Sequence, residues 1–306
     1  MVLHPRYFRS IARLLFWASA VPVFLQGTVT NAAPDQRGKN IIRTASQGVD
    51  VYGLPVATLE ALLSVKETRK ARELLAQKGG LGKDNEGKIL WISACLAVEG
   101  REDESVAEFE KIKHLENVNS YALARVAKAY CQIGNFARAK ELCTLAISRG
   151  GQDCYDTRAA CYDFEKHYVE AAADYERAAA VNPRYEGGYH GRAAREMLKA
   201  NQPAKALALV DKAPQIRKGE PDCLLLLTKG ECLEKLNRNA EAIAFFSKAM
   251  LALPAKKWVD ESVLRTTVLR ARAKTYEKMG RTVEAAADRQ AIDKSSNEAA
   301  DDFFRK

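Results

Sequence analysis

What this 306-residue chain has little of narrows it quickly. Nine prolines and eighteen glycines are few, so long helices run with little interruption and a turn-dense all-β fold is disfavoured. The four histidines, His4, His114, His167 and His190, stand in no nucleophile or metal motif. No run of five like charges occurs, which argues against a nucleic-acid-binding tail. Gly79-Gly80-Leu81-Gly82-Lys83 lacks the earlier glycine, the following Ser/Thr and the preceding strand of a phosphate loop, and reads as a helix end and linker. Carboxylate groups such as Glu102-Asp103-Glu104 fall at an exposed turn, with no sheltered cleft for acid–base chemistry. The chain therefore reads as non-enzymatic, with no cofactor and no metal.

No acid precedes Asp35 and no cysteine precedes Cys95. His4, Arg6, Arg9 and Arg13 instead form a basic head, followed by the apolar run Leu14–Leu25 and a small, polar exit at Gln26–Ala33. That layout is a secretory signal, with cleavage after Ala32. A dozen apolar residues fall short of the roughly 17–25 that span a membrane. The expected domains are a signal peptide at 1–32, a flexible polar linker at 33–55, a repeat domain at 56–292 and a capping helix or tail at 293–306. The expected location is periplasmic or secreted, and no membrane span remains after cleavage. An uncleaved anchor and a mitochondrial presequence are the two alternatives. Removing residues 1–32 leaves 45 basic against 39 acidic residues, so the charge falls from +9 to +6.

The seven cysteines lie downstream: Cys95, Cys131, Cys143, Cys154, Cys161, Cys223 and Cys232. An odd count leaves at least one unpaired in an oxidising compartment. Cys223 and Cys232 are about 13 Å apart along one helix and cannot bridge. Cys143 and Cys154 flank a helix–helix turn and form the best local pair, although small buried hydrophobes is the preferred reading for most.

What is abundant is 47% hydrophobic and 28% charged residues, organised as a repeat. Residues 120–153 carry Tyr130, Gly134, Phe136, Ala139 and Ala146, two helical stripes meeting at a Gly-Asn turn. Tyr162, Tyr168, Ala171, Tyr175 and Ala178 repeat the pattern, as do Ala242, Phe246 and Ala249, then Tyr276, Gly280 and Ala285. The small residue early in each second helix falls at Ala71, Ser105, Ala139, Ala171, Ala206, Ala242 and Ala285. Its spacing is 34 residues in the first two intervals and 32 to 43 in the others. The unit around Asn201 and Pro203 is the weakest, and the longest interval holds Lys256–Ser262 as an insertion. Ser295-Ser-Asn-Glu298 reads as the start of a last short helix carrying Phe303 and Phe304.

This pattern resembles the tetratricopeptide repeat, a 34-residue helix–turn–helix unit. The resemblance covers residues 56–292. It implies an all-α solenoid of about six to seven antiparallel hairpins in a right-handed superhelix. Small residues such as Ala127, Ala139, Ala159 and Ala171 would let helices approach, with Tyr130, Tyr162, Tyr175 and Phe246 filling the gaps.

In such arrays the first helices line a concave groove that takes peptides or partner helices. Carried over residue by residue, the exposed first-helix cations are Arg125 and Lys128, Arg192 and Arg195, and Arg270 and Lys274, each pair on one helical face. Asp153, Asp156 and Asp163 form an acidic step between the first two pairs. The groove would suit an acidic segment, a carboxylate or a phosphate. The expected function is a scaffold that binds another protein or peptide segment. A helical-repeat binder of RNA or another polyanion, and an accessory subunit of a partner enzyme, are the alternatives. No nucleic acid is expected, because no aromatic-plus-basic stripe is evident.

Overall fold

A computed structural model describes residues 56–77, 86–115, 118–218, 222–253 and 261–304. The signal and linker readings, the glycine-rich segment and Lys256–Asp260 of the insertion lie outside the described residues. The chain divides into two compact units at Glu165/Lys166, each described separately.

The first unit contains α1 (Val56–Ser64), α2 (Thr68–Gln77), α3 (Glu86–Val98), α4 (Glu102–Phe109), α5 (Ser120–Gln132), α6 (Phe136–Ser148), a 3₁₀ turn (Gln152–Cys154) and α7 (Tyr155–Phe164). The second contains α8 (Tyr168–Val181), a 3₁₀ turn (Pro183–Tyr185), α9 (Glu186–Lys199), α10 (Pro203–Lys212), α11 (Pro214–Lys218), α12 (Cys223–Lys235), α13 (Asn239–Leu251), α14 (Glu261–Lys278) and α15 (Thr282–Phe304). Among the described residues there is no strand.

One local device recurs at seven turns. Lys66, Gly100, Gly134, Lys166, Asn201, Asn237 and Gly280 all have left-handed backbone, with φ between 55° and 86°. At six of them the next residue's N–H returns to a carbonyl five residues back, as from Asn135 to Tyr130 at 2.9 Å and from Arg238 to Leu233 at 2.9 Å. That is a Schellman-type helix end, which satisfies otherwise orphaned carbonyls and reverses the chain. New helices start on polar caps: Asn119, Asn135 and Asp222 accept from Ala122, Arg138 and Leu225 amides respectively.

Five residues after each left-handed residue stands the small one. Ala71, Ser105, Ala139, Ala171, Ala206, Ala242 and Ala285 are all buried, at most 2% exposed. Ser105 replaces the methyl contact with hydrogen bonds: its Oγ donates to the Ser93 carbonyl at 2.8 Å and the Ser93 Oγ donates to the Ser105 carbonyl at 2.6 Å. This joins α3 to α4 inside the core.

In the first unit one continuous core runs from Leu59 to Cys161, built on Leu62, Trp91, Phe109, Tyr130 and Leu142. Phe109 meets Tyr130 edge to face at 6.0 Å, and the Tyr130 hydroxyl donates to Glu110. Each such large apolar side chain contributes about 1.5–3 kcal/mol by burial. In the second unit Phe246 packs onto Gly230 of α12, where a Cβ would lie 2.4 Å from the ring.

Three sequence expectations need correction. Asn201 and Pro203, which made one hairpin look weak, serve it fully: Asn201 takes the left-handed position at φ 55°, and Pro203 opens α10 where no intrahelical N–H bond is needed. No helix starts at Ser295, because α15 runs unbroken from Thr282 to Phe304 and no Pro or Gly interrupts it. Tyr162 is only half-buried; it lies under Lys140 and Arg158 rather than filling the core as Tyr130 does.

Candidate functional site: the first-helix face of the second unit

In the second unit the first helices of the hairpins are α9, α12 and α14, and α12 packs against both of the others. Arg192 and Arg195 sit three residues apart on α9 and share a face. The Arg192 guanidinium lies 5.8 Å from the Tyr175 ring of α8. That ring stacks on Tyr189 at 6.4 Å, and Tyr185 meets Tyr189 edge-on at 6.5 Å.

Arg195 is partly buried. Desolvation, and then the charge of Arg192, lower its pKa from the usual guanidinium value, against the favourable pull of Glu231. Glu231 on α12 is also partly buried. Burial raises its carboxyl pKa, opposed by Arg195 and assisted by Glu234. Yet among the described residues no carboxylate lies within ion-pair distance of Arg195.

Glu234 behaves differently. Burial alone would raise its pKa, but a hydrogen bond from Lys278 and the charges of Lys274 and Lys278 lower it on balance. The Lys274 Nζ lies 3.6 Å from its Oε1, and Lys278 shares the same oxygen. Glu234 is thus neutralised by α14, whereas Glu231 and Arg195 face each other without closing a bond. Arg270, one turn before Lys274, is exposed.

In the first unit, Arg125 of α5 stacks over Tyr121 at 4.4 Å, and Lys128 is exposed. Asp156, in the first turn of α7, accepts from the Thr157 amide at 2.8 Å; Asp163 is half-buried. Arg125, Arg192 and Arg195 are therefore not the open cations expected of them: each is partly buried, two of them against tyrosine rings, while Lys128, Arg270 and Lys274 are exposed.

Glu231 went unrecognised as part of this face. The signal that identifies it is register. Lys128, Arg195, Glu231 and Lys274 all stand six residues before a left-handed turn residue, at Gly134, Asn201, Asn237 and Gly280. One repeat position thus carries Arg, Glu and Lys on α9, α12 and α14. Among the described residues no group of three or more His, Cys, Asp or Glu side chains is arranged to hold a metal ion. No described helix is long and apolar enough to cross a membrane.

No family model matches the sequence, and no curated protein matches it either. Solved structures do. The C-terminal part of a TPR repeat-containing protein from Cytophaga hutchinsonii is 12% identical, covers 76% of this chain and 92% of its own, and superposes with a TM-score of 0.56. A tetratricopeptide repeat protein from Parabacteroides merdae is 14% identical over 85% of this chain and 93% of its own, with a TM-score of 0.47. A MamA structure is 19% identical over 68% and 94%, with a TM-score of 0.38. At 12% identity the likeness to the Cytophaga hutchinsonii structure concerns the fold alone, and with the turns and small residues above it gives a tetratricopeptide-like helical-repeat architecture.

Proposed function

We propose that this chain is a non-catalytic scaffold of an extracytoplasmic compartment, which holds a segment of another protein on the first-helix face of its repeats. The Arg192–Arg195 pair takes a carboxylate of that segment. The observation that carries the reading is Arg195: partly stripped of water, pushed on by Arg192, and without a carboxylate at ion-pair distance among the described residues. A cation already desolvated by its own fold loses less hydration on meeting an anion, and a guanidinium offers a two-pronged geometry for carboxylates. The compartment rests on the basic head and apolar run of residues 1–32.

The test is crosslinking in the native cell followed by affinity purification, with wild type beside the Arg192→Glu, Arg195→Glu, Lys274→Glu triple variant. Circular dichroism confirms that the variant folds. A partner recovered by wild type and lost by the variant supports the reading; equal recovery by both removes this face from it. Cell fractionation and sequencing of the mature N-terminus test the compartment, with the cut expected after Ala32.

One observation favours a polyanion as a second reading. Arg184 lies 5.9 Å from the Tyr185 ring, which meets Tyr189 edge-on, an aromatic-plus-basic patch that the sequence did not disclose. Tyr175, the ring under Arg192, is buried and offers no open face for stacking a base. Binding to single-stranded RNA that falls steeply with salt would favour this alternative.

A further inference from the structure

Tyr185, Tyr189, Arg192 and Arg195 follow one another at intervals of four, three and three residues, one stripe along α9 and the turn that leads into it. All four are half-buried. The opposite side of α9 is packed: Gly187, His190, Gly191, Ala194 and Met197 are buried. Two of its glycines answer to close neighbours. A Cβ on Gly187 would lie 1.9 Å from the Gln215 amide oxygen of α11, and one on Gly191 would lie 3.0 Å from Leu225 of α12. The third, Gly188, falls on the stripe itself and is half-buried. It weakens the helix relative to alanine, and it leaves the register position between the tyrosines and the arginines without a side chain.

The two ends of the stripe differ in chemistry. Tyr189 stacks on the buried Tyr175 at 24°, and Tyr185 meets Tyr189 at 87°, so the two half-buried rings make a right-angled apolar corner. The exposed Arg184 stands 5.9 Å from the Tyr185 ring. Toward the other end lie Arg192 and Arg195. Glu196, one position past Arg195, is held by Lys199 at 3.0 and 3.1 Å.

We propose that this stripe takes an extended, proline-containing acidic segment of the partner, with a proline in the Tyr185–Tyr189 corner and a carboxylate on Arg192 and Arg195. The proposal rests on the carboxylate reading of those two arginines and adds the rest of the recognised segment. A proline ring is compact and apolar and packs against tyrosine faces, and a polyproline II segment is already extended before it binds. A nucleic-acid base fits less well, because it needs an open flat ring to stack on, and Tyr189 is already stacked on Tyr175 and met at a right angle by Tyr185. Spacing sets the motif. The middle of the tyrosine pair and the middle of the arginine pair are six to seven residues apart, roughly 10 Å along a helix. Polyproline II advances about 3.1 Å per residue, so the acid stands about three residues from the proline.

Fluorescence polarisation on the full chain with short, labelled, end-blocked peptides tests this. The peptides carry Pro-Pro-Ala-Ala-Glu, or the reverse order Glu-Ala-Ala-Pro-Pro. One of the two orders should bind about five- to tenfold more tightly than its version with alanine for both prolines, and than its version with glutamine for the glutamate. Tyr185→Ala should remove the advantage of proline while leaving the binding of the proline-free acidic peptide unchanged. Arg192→Gln should remove the advantage of glutamate. Urea midpoints check that both variants fold, and the peptide substitutions, which leave the protein untouched, decide the matter if Tyr185→Ala does not. Equal binding with and without proline, still dependent on Arg192, overturns the proposal and leaves the carboxylate reading standing. Equal binding with and without the acid, or no binding of any peptide, overturns both. Tighter and steeply salt-dependent binding of a single-stranded RNA, lost in Tyr185→Ala, overturns the proposal in favour of a polyanion.

Discussion

Lys166 and Lys66 hold backbone conformations that side chains with a Cβ adopt at a cost of about 1–2 kcal/mol, while Gly134 meets the same demand without strain. Lys166→Gly should therefore raise stability by about 1 kcal/mol, and Gly134→Ala should lower it by a similar amount, both read as shifts of the urea midpoint. Glu231 is a second residue whose environment works against its charged form. Its folded pKa lies above the unfolded one, so the folded state holds the proton more tightly. The associated stability is complete below the unfolded carboxyl pKa and is lost as pH rises through the raised value. Glu231→Gln should thus stabilise the fold at pH 7 and change little near pH 3. The same substitution removes the carboxylate that competes for Arg195. The charged and titratable groups around it are Arg192, Arg195 and Glu196 on α9, Tyr175 on α8, Glu234 on α12 and Lys274 on α14. Wild type should bind an acidic peptide more tightly as pH falls from 7 toward 5, and Glu231→Gln should bind it tightly across that range. Fluorescence polarisation with a labelled acidic peptide reads both, and equal pH dependence in the two proteins would refute the competition.

Between elements, contact is governed by small residues and by a few internal ion pairs. Arg272 of α14 holds Asp288 of α15 with two hydrogen bonds at 2.8 and 2.6 Å, and also reaches Ser247 at 3.1 Å. Asp288 is 6% exposed, so Asp288→Ala strands a buried cation and should cost about 3–5 kcal/mol in chemical denaturation. Gly230→Ala drives a methyl into Phe246 and should cost about 1–3 kcal/mol. Most hairpins were legible in the sequence, because an alanine that must lie between helices recurs at a nearly fixed interval. The one that looked doubtful did so only because glycine was expected at its turn, and asparagine tolerates the same left-handed backbone. The continuity of α15 was concealed by Ser295-Ser-Asn, which resembles a helix start but does not force one. Cations of the candidate face were legible from their spacing. Their burial, the tyrosines beneath them and the acid at Glu231 were not, because those depend on which neighbouring helix comes to lie alongside.

At the scale of the chain, the two units have separate internal contacts, and repeat arrays draw their stability from each unit and its neighbours rather than from one shared core. Asp288→Ala should accordingly weaken hydrogen-exchange protection in α14 and α15 while leaving α3 to α6 as in wild type; loss of protection throughout would mean that the chain unfolds as one body. The seven buried small residues have a further bearing, on how such a chain can drift through mutation. Alanine offers almost nothing to remove and no room to add, so substitution there is tolerated toward glycine or serine and refused toward anything larger. Between those positions the fold asks mainly for helix formers of suitable polarity. Inheritance of the architecture is then a matter of permitted side-chain volume at a few recurring sites. A structure only 12% identical in sequence has a similar fold.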